Sequence, residues 1–244
     1  MKIAGVYLAA GEGKRMNGVK LAAELLPGLP LGAVALRALL SVGLDAVYVV
    51  VRPGEAPEWL RQEVFAYPGD LNRKSEPERE SGSEASPPLS RGAVQGTDRR
   101  TELTMLVCED AELGMAYSLR RGIGEAAAAG CGAAVVLLAD QPFVTAAMVR
   151  ALIGCWRSDP RLDYVASGNG DVMTPPVLLA AKTFPHVARL EGDIGAKRLL
   201  ERSDFAGRVL SANEPERLAD VDTPALLEEA RQFARQKRVT LCDI

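Results

Sequence analysis

The sequence predicts an α/β protein of the Rossmann-like kind, a three-layer sandwich with a mostly parallel sheet between helices. Two observations carry this. Short unbroken apolar runs, Ile3–Leu8, Ala46–Val51 and Ala133–Leu138, have the length and composition of strands buried on both faces. Between them lie segments with apolar residues at helical spacing, such as Leu31–Leu40 and Tyr117–Ala129. Continuous apolar strands alternating with helices are the pattern of a sheet covered on both sides.

Taken in order, Ile3–Leu8 is a strand that runs into glycines, and Leu31–Leu40 is a helix that stops near Gly43. Ala46–Val51 is rich enough in valine to be an interior strand, and Leu103–Val107 is another strand. Tyr117–Ala129 is an alanine-rich helix ending at Gly130. Ala133–Leu138 is followed by Asp140-Gln141-Pro142 and then a helix over Thr145–Trp156. Tyr164–Ser167 and Val177–Leu179 read as shorter strands, and Ala196–Leu200 and Pro224–Gln236 as helices. The last helix opens on Asp222-Thr223-Pro224, a capping residue with proline at the first helical position. Parallel sheets bind ligands at the carboxyl ends of their strands. The loops after Leu8 and Leu138 therefore belong on one rim.

The chain has 244 residues, which we read as a single domain over 1–244. One segment departs from the pattern. Pro68–Arg100 is rich in Pro, Gly, Ser, Glu and Arg and nearly free of large apolar side chains, so a disordered insertion at 68–100 is expected. A net charge of −3 provides no basic field for nucleic acid, and 5% aromatic residues are too few for a base-stacking platform. The four cysteines are scattered without a CxxC pair, and no apolar run approaches a membrane span. These features point to a cytoplasmic protein with no membrane and no nucleic-acid partner.

Chemistry is expected first in Leu8-Ala9-Ala10-Gly11-Glu12-Gly13-Lys14-Arg15-Met16 and the following Lys20. Glycines let backbone N–H groups approach phosphate oxygens, and the cations neutralise their charge. The spacing is not that of a P-loop, and Met16 stands where a dinucleotide fingerprint needs its third glycine. Asp140 directly follows a buried strand on the same rim, where a carboxylate can hold Mg²⁺ against nucleotide phosphates; Thr145 is available to cap the next helix. Asp193 is either a ligand or a cap for the helix after it. Asp220 and Asp222 raise the same question, with capping the stronger reading for Asp222. Ser118, at a helix start, can cap or contact a base. His186, the only histidine, has no partner in sequence register and reads as structural.

Together LAAGEGKRMNGVK (8–20), Gly114 to Ser118, LLADQP (137–142), TPPVLL (174–179), GDIGAKRLL (192–200) and DVDTP (220–224) resemble the MobA/MocA-like nucleotidyltransferases. The motifs follow in the family's order and cover nearly the whole chain outside 68–100. The resemblance implies a nucleotide-diphospho-sugar transferase-like fold. It also implies that Gly11, Gly13, Arg15 and Lys20 contact the triphosphate, with Arg15, Lys20 and Asp140 catalytic and Asp140 binding Mg²⁺. Leu8, Ala9, Ala10 and Ser118 complete the implied nucleotide site, and Asp193 is a second candidate metal ligand. LAAG at 8–11 is similar to the members that use CTP, whereas GTP users carry LAGG. Asn17 departs from the glycine usual after the Arg-Met pair, with Gly18 immediately behind it.

Within this family the chain resembles molybdenum cofactor cytidylyltransferases and the purine-catabolism accessory proteins needed for active xanthine dehydrogenase. The implied reaction is transfer of a cytidylyl group from CTP to molybdopterin, with pyrophosphate released. The implied partner is an apo-molybdoenzyme of the xanthine dehydrogenase type. Two other readings stay open: a cytidylyl- or uridylyltransferase acting on a sugar or alditol phosphate, and a non-catalytic carrier of the molybdenum cofactor.

Overall fold

Strand β1 (Ile3–Leu8) takes a central place in an eight-stranded sheet because every one of its side chains is small or apolar and can be buried on either face. The structure, a computed structural model, describes residues 1–11, 13, 16, 20–54, 56–66, 92–96, 99–169, 172–193, 196–212 and 214–237. Strands β4 (Ala46–Val51) and β7 (Ala133–Leu138) flank β1 in parallel, placing Leu8 opposite Val50 on one side and Leu138 on the other. Beyond β4 lie β6 (Arg99–Val107), parallel, and β5 (Gly92–Gly96), an antiparallel edge. Beyond β7, strand β9 (Val172–Ala180) runs antiparallel between β7 and β8 (Tyr164–Asn169), and β10 (Gly207–Ser211) forms the far edge parallel to β8. All strands of this sheet except β5 and β9 thus share one direction. A short hairpin, β2 (Glu24–Leu26) with β3 (Leu29–Pro30), stands apart from it.

Alternation along the strands divides the core in two. Ile3 and Tyr7 point to the face covered by α1 (Leu31–Leu40), α2 (Glu58–Ala66), α4 (Ala146–Ser158) and α7 (Pro224–Gln236). Ala4, Val6 and Leu8 point to the face covered by α3 (Met115–Ala128), α5 (Phe184–Val187) and α6 (Lys197–Leu200). The result is the three-layer α/β sandwich expected from the sequence. Among the described residues no helix is long and apolar enough to cross a membrane.

Two expectations need correction. The strand expected at Val177–Leu179 is the end of a longer one, β9, whose pairing with β8 shifts register between Ala166 and Ser167. Pro175 and Pro176 lie opposite that shift, where missing N–H groups cost the ladder least. In the segment expected to be unstructured over 68–100, residues 68–91, 97 and 98 lie outside the described residues. Its end is not unstructured: Gly92–Gly96 forms β5, and β6 begins at Arg99. Backbone N–H and C=O groups make that pairing, and a side-chain composition argument does not count them.

Candidate active site

Leu8 and Leu138 end adjacent parallel strands in register, and the Ala139 amide donates to the Leu8 carbonyl at 3.0 Å. The glycine loop after β1 and the acidic turn after β7 are therefore neighbours, as the sequence predicts. Between them opens a cleft of about 270 Å³. Ala10, Gly11 and Gly13 line one wall, Leu138 and Asp140 another, and Gly114, Met115 and Ser118 at the start of α3 a third. Gly13 has φ of +57°, in the left-handed region that glycine enters without steric cost. Arg15, with Glu12, Lys14, Asn17 and Gly18, lies outside the described residues.

Among the described residues of the site, Lys20 is a buried cation, in a short 3-10 turn over Lys20–Ala22. Its Nζ donates to Asp140 Oδ2 at 2.7 Å and to Asp222 Oδ1 at 2.5 Å. Burial works to lower its pKa, but the charges and hydrogen bonds of Asp140 and Asp222 prevail and hold the ammonium above the ordinary lysine value. Asp140 Oδ1 is buried with no hydrogen-bond partner. Asp220 stands close by, and desolvation by the surrounding chain, with the Asp140 charge, pushes its carboxyl up.

Backbone contacts bring the far end of the chain to this corner. The Val221 amide donates to the Asp140 carbonyl at 2.9 Å, so Asp220–Asp222 runs beside the β7 turn. The Gln141 side chain, fully buried, donates through Nε2 to the Leu218 carbonyl at 3.1 Å and to Thr174 Oγ1 at 3.3 Å. One amide thereby ties the turn, β9 and the 215–222 segment together.

The expected cap at Asp222 is not there. Thr223 caps α7, its side chain accepting from the Leu226 amide at 3.2 Å, which leaves the Asp222 carboxylate free to reach Lys20. Thr145 caps α4 as expected, accepting from the Met148 amide. Asp193 does not cap α6, whose first position follows Ala196 with no side-chain cap bond; instead it lines the cleft. Its loop is docked on α3 by the Ala116 amide, which donates to the Gly192 carbonyl at 3.0 Å. Ser118 makes no cap either: it is buried in the first turn of α3, lines the cleft and is hydrogen-bonded to the Cys108 thiol. Ala9 is the residue that departs most from its expected place. It packs into the core on the α1 side while Ala10 faces the cleft. His186 sits edge-on against Phe205 with ring centroids 5.0 Å apart. Among the described residues no group of three histidine, cysteine or carboxylate side chains is arranged to hold a metal; the carboxylates on Lys20 supply two.

A family model, the MobA-like NTP transferase domain, matches residues 5–208. The chain belongs to this family. Among curated proteins, "Purine catabolism protein PucB" of Bacillus subtilis is 34% identical over 230 residues, covering 93% of this chain and 95% of the relative. Two solved structures show the same fold. Rv0371c of Mycobacterium tuberculosis superposes with a TM-score of 0.66 at 21% identity, covering 95% of this chain and 98% of its own, and a manganese complex of it is known. A nucleotidyl transferase from Methanothermobacter gives a TM-score of 0.66 at 18% identity, covering 97% of this chain and 99% of its own. In this MobA-like protein, then, the family's LADQP and DVDTP segments meet at Lys20. From the sequence alone, the first reads as a site segment, whereas capping is the stronger reading for Asp222 in the second.

Proposed function

We propose that this MobA-like transferase is a CTP:molybdopterin cytidylyltransferase acting at the cleft between β1, β7 and α3. The observation that carries the reading is the Lys20 ammonium between Asp140 and Asp222 at the carboxyl ends of parallel strands. Such a rim is where α/β sheets take nucleotides. The cleft would receive CTP with its triphosphate toward the Gly11–Gly13 loop, Arg15 and Lys20.

A divalent cation fits the acidic corner. Asp140 Oδ1 is buried without a partner, and Asp140 Oδ2 and Asp222 Oδ1 converge on the point that Lys20 Nζ occupies. Asp140 and Asp222 would hold Mg²⁺, with Asp193 across the cleft as a further carboxylate; Rv0371c, similar in fold, is known as a manganese complex. When bound, the ion supplies neutralisation of phosphate charge.

The acceptor's phosphate oxygen attacks the α-phosphorus of CTP. One P–O bond forms, the bond to the β-phosphate oxygen breaks, and pyrophosphate leaves. The nucleophile is already an anion at neutral pH, so the chain needs no general base, in keeping with His186 packed on Phe205 away from the cleft lining. What the residues contribute is position and charge: Lys20 and Arg15 on the phosphates, and the glycine loop close to their oxygens. The acceptor assignment draws on the family and on the purine-catabolism relative, and the product would pass to an apo-molybdoenzyme of the xanthine dehydrogenase type.

Incubation with CTP labelled at the α-phosphate, Mg²⁺ and molybdopterin should yield a labelled dinucleotide and one pyrophosphate per transfer. Transfer to an alditol phosphate but not to molybdopterin would replace the acceptor. Absence of transfer to either would leave the carrier reading.

A further inference from the structure

Lys20 Nζ lies 2.7 Å from Asp140 Oδ2 and 2.5 Å from Asp222 Oδ1, so it occupies the point from which one cation would reach both oxygens. An ammonium and a divalent ion cannot both sit there, because two cations a few ångströms apart in a partly buried site repel strongly. We propose that Lys20 is an internal stand-in for the metal, exchanged for it only when nucleotide is present, so that metal and nucleotide bind as mutually dependent ligands. This rests on the reading that Asp140 and Asp222 hold a divalent cation.

The stem of Lys20 is buried, with its side chain 10% exposed, and it lines the cleft. Its charged end can therefore be displaced into the cleft. With no anion there, leaving the carboxylates forfeits two charge-assisted hydrogen bonds and strands a charge in a poorly solvated place. A triphosphate in the cleft changes the balance, because its oxygens take over both bonds. The metal then finds a vacated carboxylate pair, together with Asp140 Oδ1, an acceptor that the ammonium leaves unused. Each ligand removes the obstacle to the other, and the coupling is equal in both directions.

The test is Mn²⁺ binding, followed by loss of the free-ion paramagnetic resonance signal, with the CTP–Mn²⁺ complex formed without protein subtracted. Lys20→Met keeps the length and apolar stem and removes the charge. The wild-type protein should bind Mn²⁺ alone poorly and about tenfold or more tightly with CTP. Lys20→Met should bind Mn²⁺ alone about tenfold more tightly than wild type and gain little from CTP. Lys20→Gln, measured alongside with melting curves for both variants, should move the same way and covers the case in which one variant fails to fold. Equal Mn²⁺ affinity of variant and wild type without nucleotide overturns the exchange, even where wild type still takes up metal with CTP and the transferase reading stands. No Mn²⁺ uptake by any of the proteins, with or without CTP, overturns the exchange and the metal assignment together.

Discussion

Ala9 and Ala10 are adjacent in sequence, but the first packs under α1 and the second faces the cleft. If the LAAG motif sets base choice, Ala10 is the residue through which it acts. CTP should therefore be preferred over GTP in kcat/KM, Ala10→Gly should narrow the preference, and Ala9→Gly should leave it unchanged. Steady-state kinetics with both nucleotides check this, and a wild-type preference for GTP would refute the cytidylyl assignment. At the acidic corner, Asp140→Asn should lower turnover by at least about 100-fold and Asp222→Asn by about tenfold or more, with the melting temperature nearly kept. Near-normal pyrophosphate release by Asp140→Asn at saturating Mg²⁺ would remove that residue from the mechanism. Asp140 is legible in the sequence because it directly follows a buried strand. Asp222 is not, because Asp and Thr are both good caps ahead of Pro224 and nothing local decides between them. What decides is Lys20, 202 positions away.

The elements themselves were largely readable. Leu31–Leu40, Ala46–Val51, Ala133–Leu138 and Pro224–Gln236 have the bounds that their apolar spacing and caps dictate. What spacing misses is how element ends meet. The start of α3 and the loop before α6 touch at Gly114, whose φ is +122°; a Cβ there would lie 2.4 Å from the Gly192 carbonyl carbon and 2.7 Å from Asp193 Oδ1. Gly114→Ala should destabilise the protein by about 1–3 kcal/mol from backbone strain alone. Because the Gly192–Asp193 loop must also move off the cleft wall, KM for nucleotide should rise as well. Denaturant melts and initial rates measure the two effects separately, and an unchanged KM would mean that the loop does not shape the site.

At the scale of the whole molecule, the revised boundary of the long insertion alters what a deletion should do. Its composition from Pro68 to Ser90 offers little to a core, so replacing those residues with a short Gly/Ser bridge should move Tm by no more than about 2 °C. Extending the deletion through Gly96 removes β5 and uncovers the backbone of β6. Tm should then fall further, and the protein should begin to self-associate through the bared edge. Calorimetry and light scattering on the two deletions distinguish them. Equal behaviour would mean that β5 contributes nothing to the sheet.

Lys20 is tied to residues 120 and 202 positions further along the chain. Proteins leave the ribosome amino end first, so the glycine loop and Lys20 emerge before Asp140 and Asp222. β1 then waits for β7, its parallel neighbour, and the ammonium waits longer still for its second acid. A chain interrupted before residue 222 would carry the glycine loop and Lys20 without the second carboxylate that holds the ammonium. The acidic corner around Lys20 is complete only once residue 222 has been made.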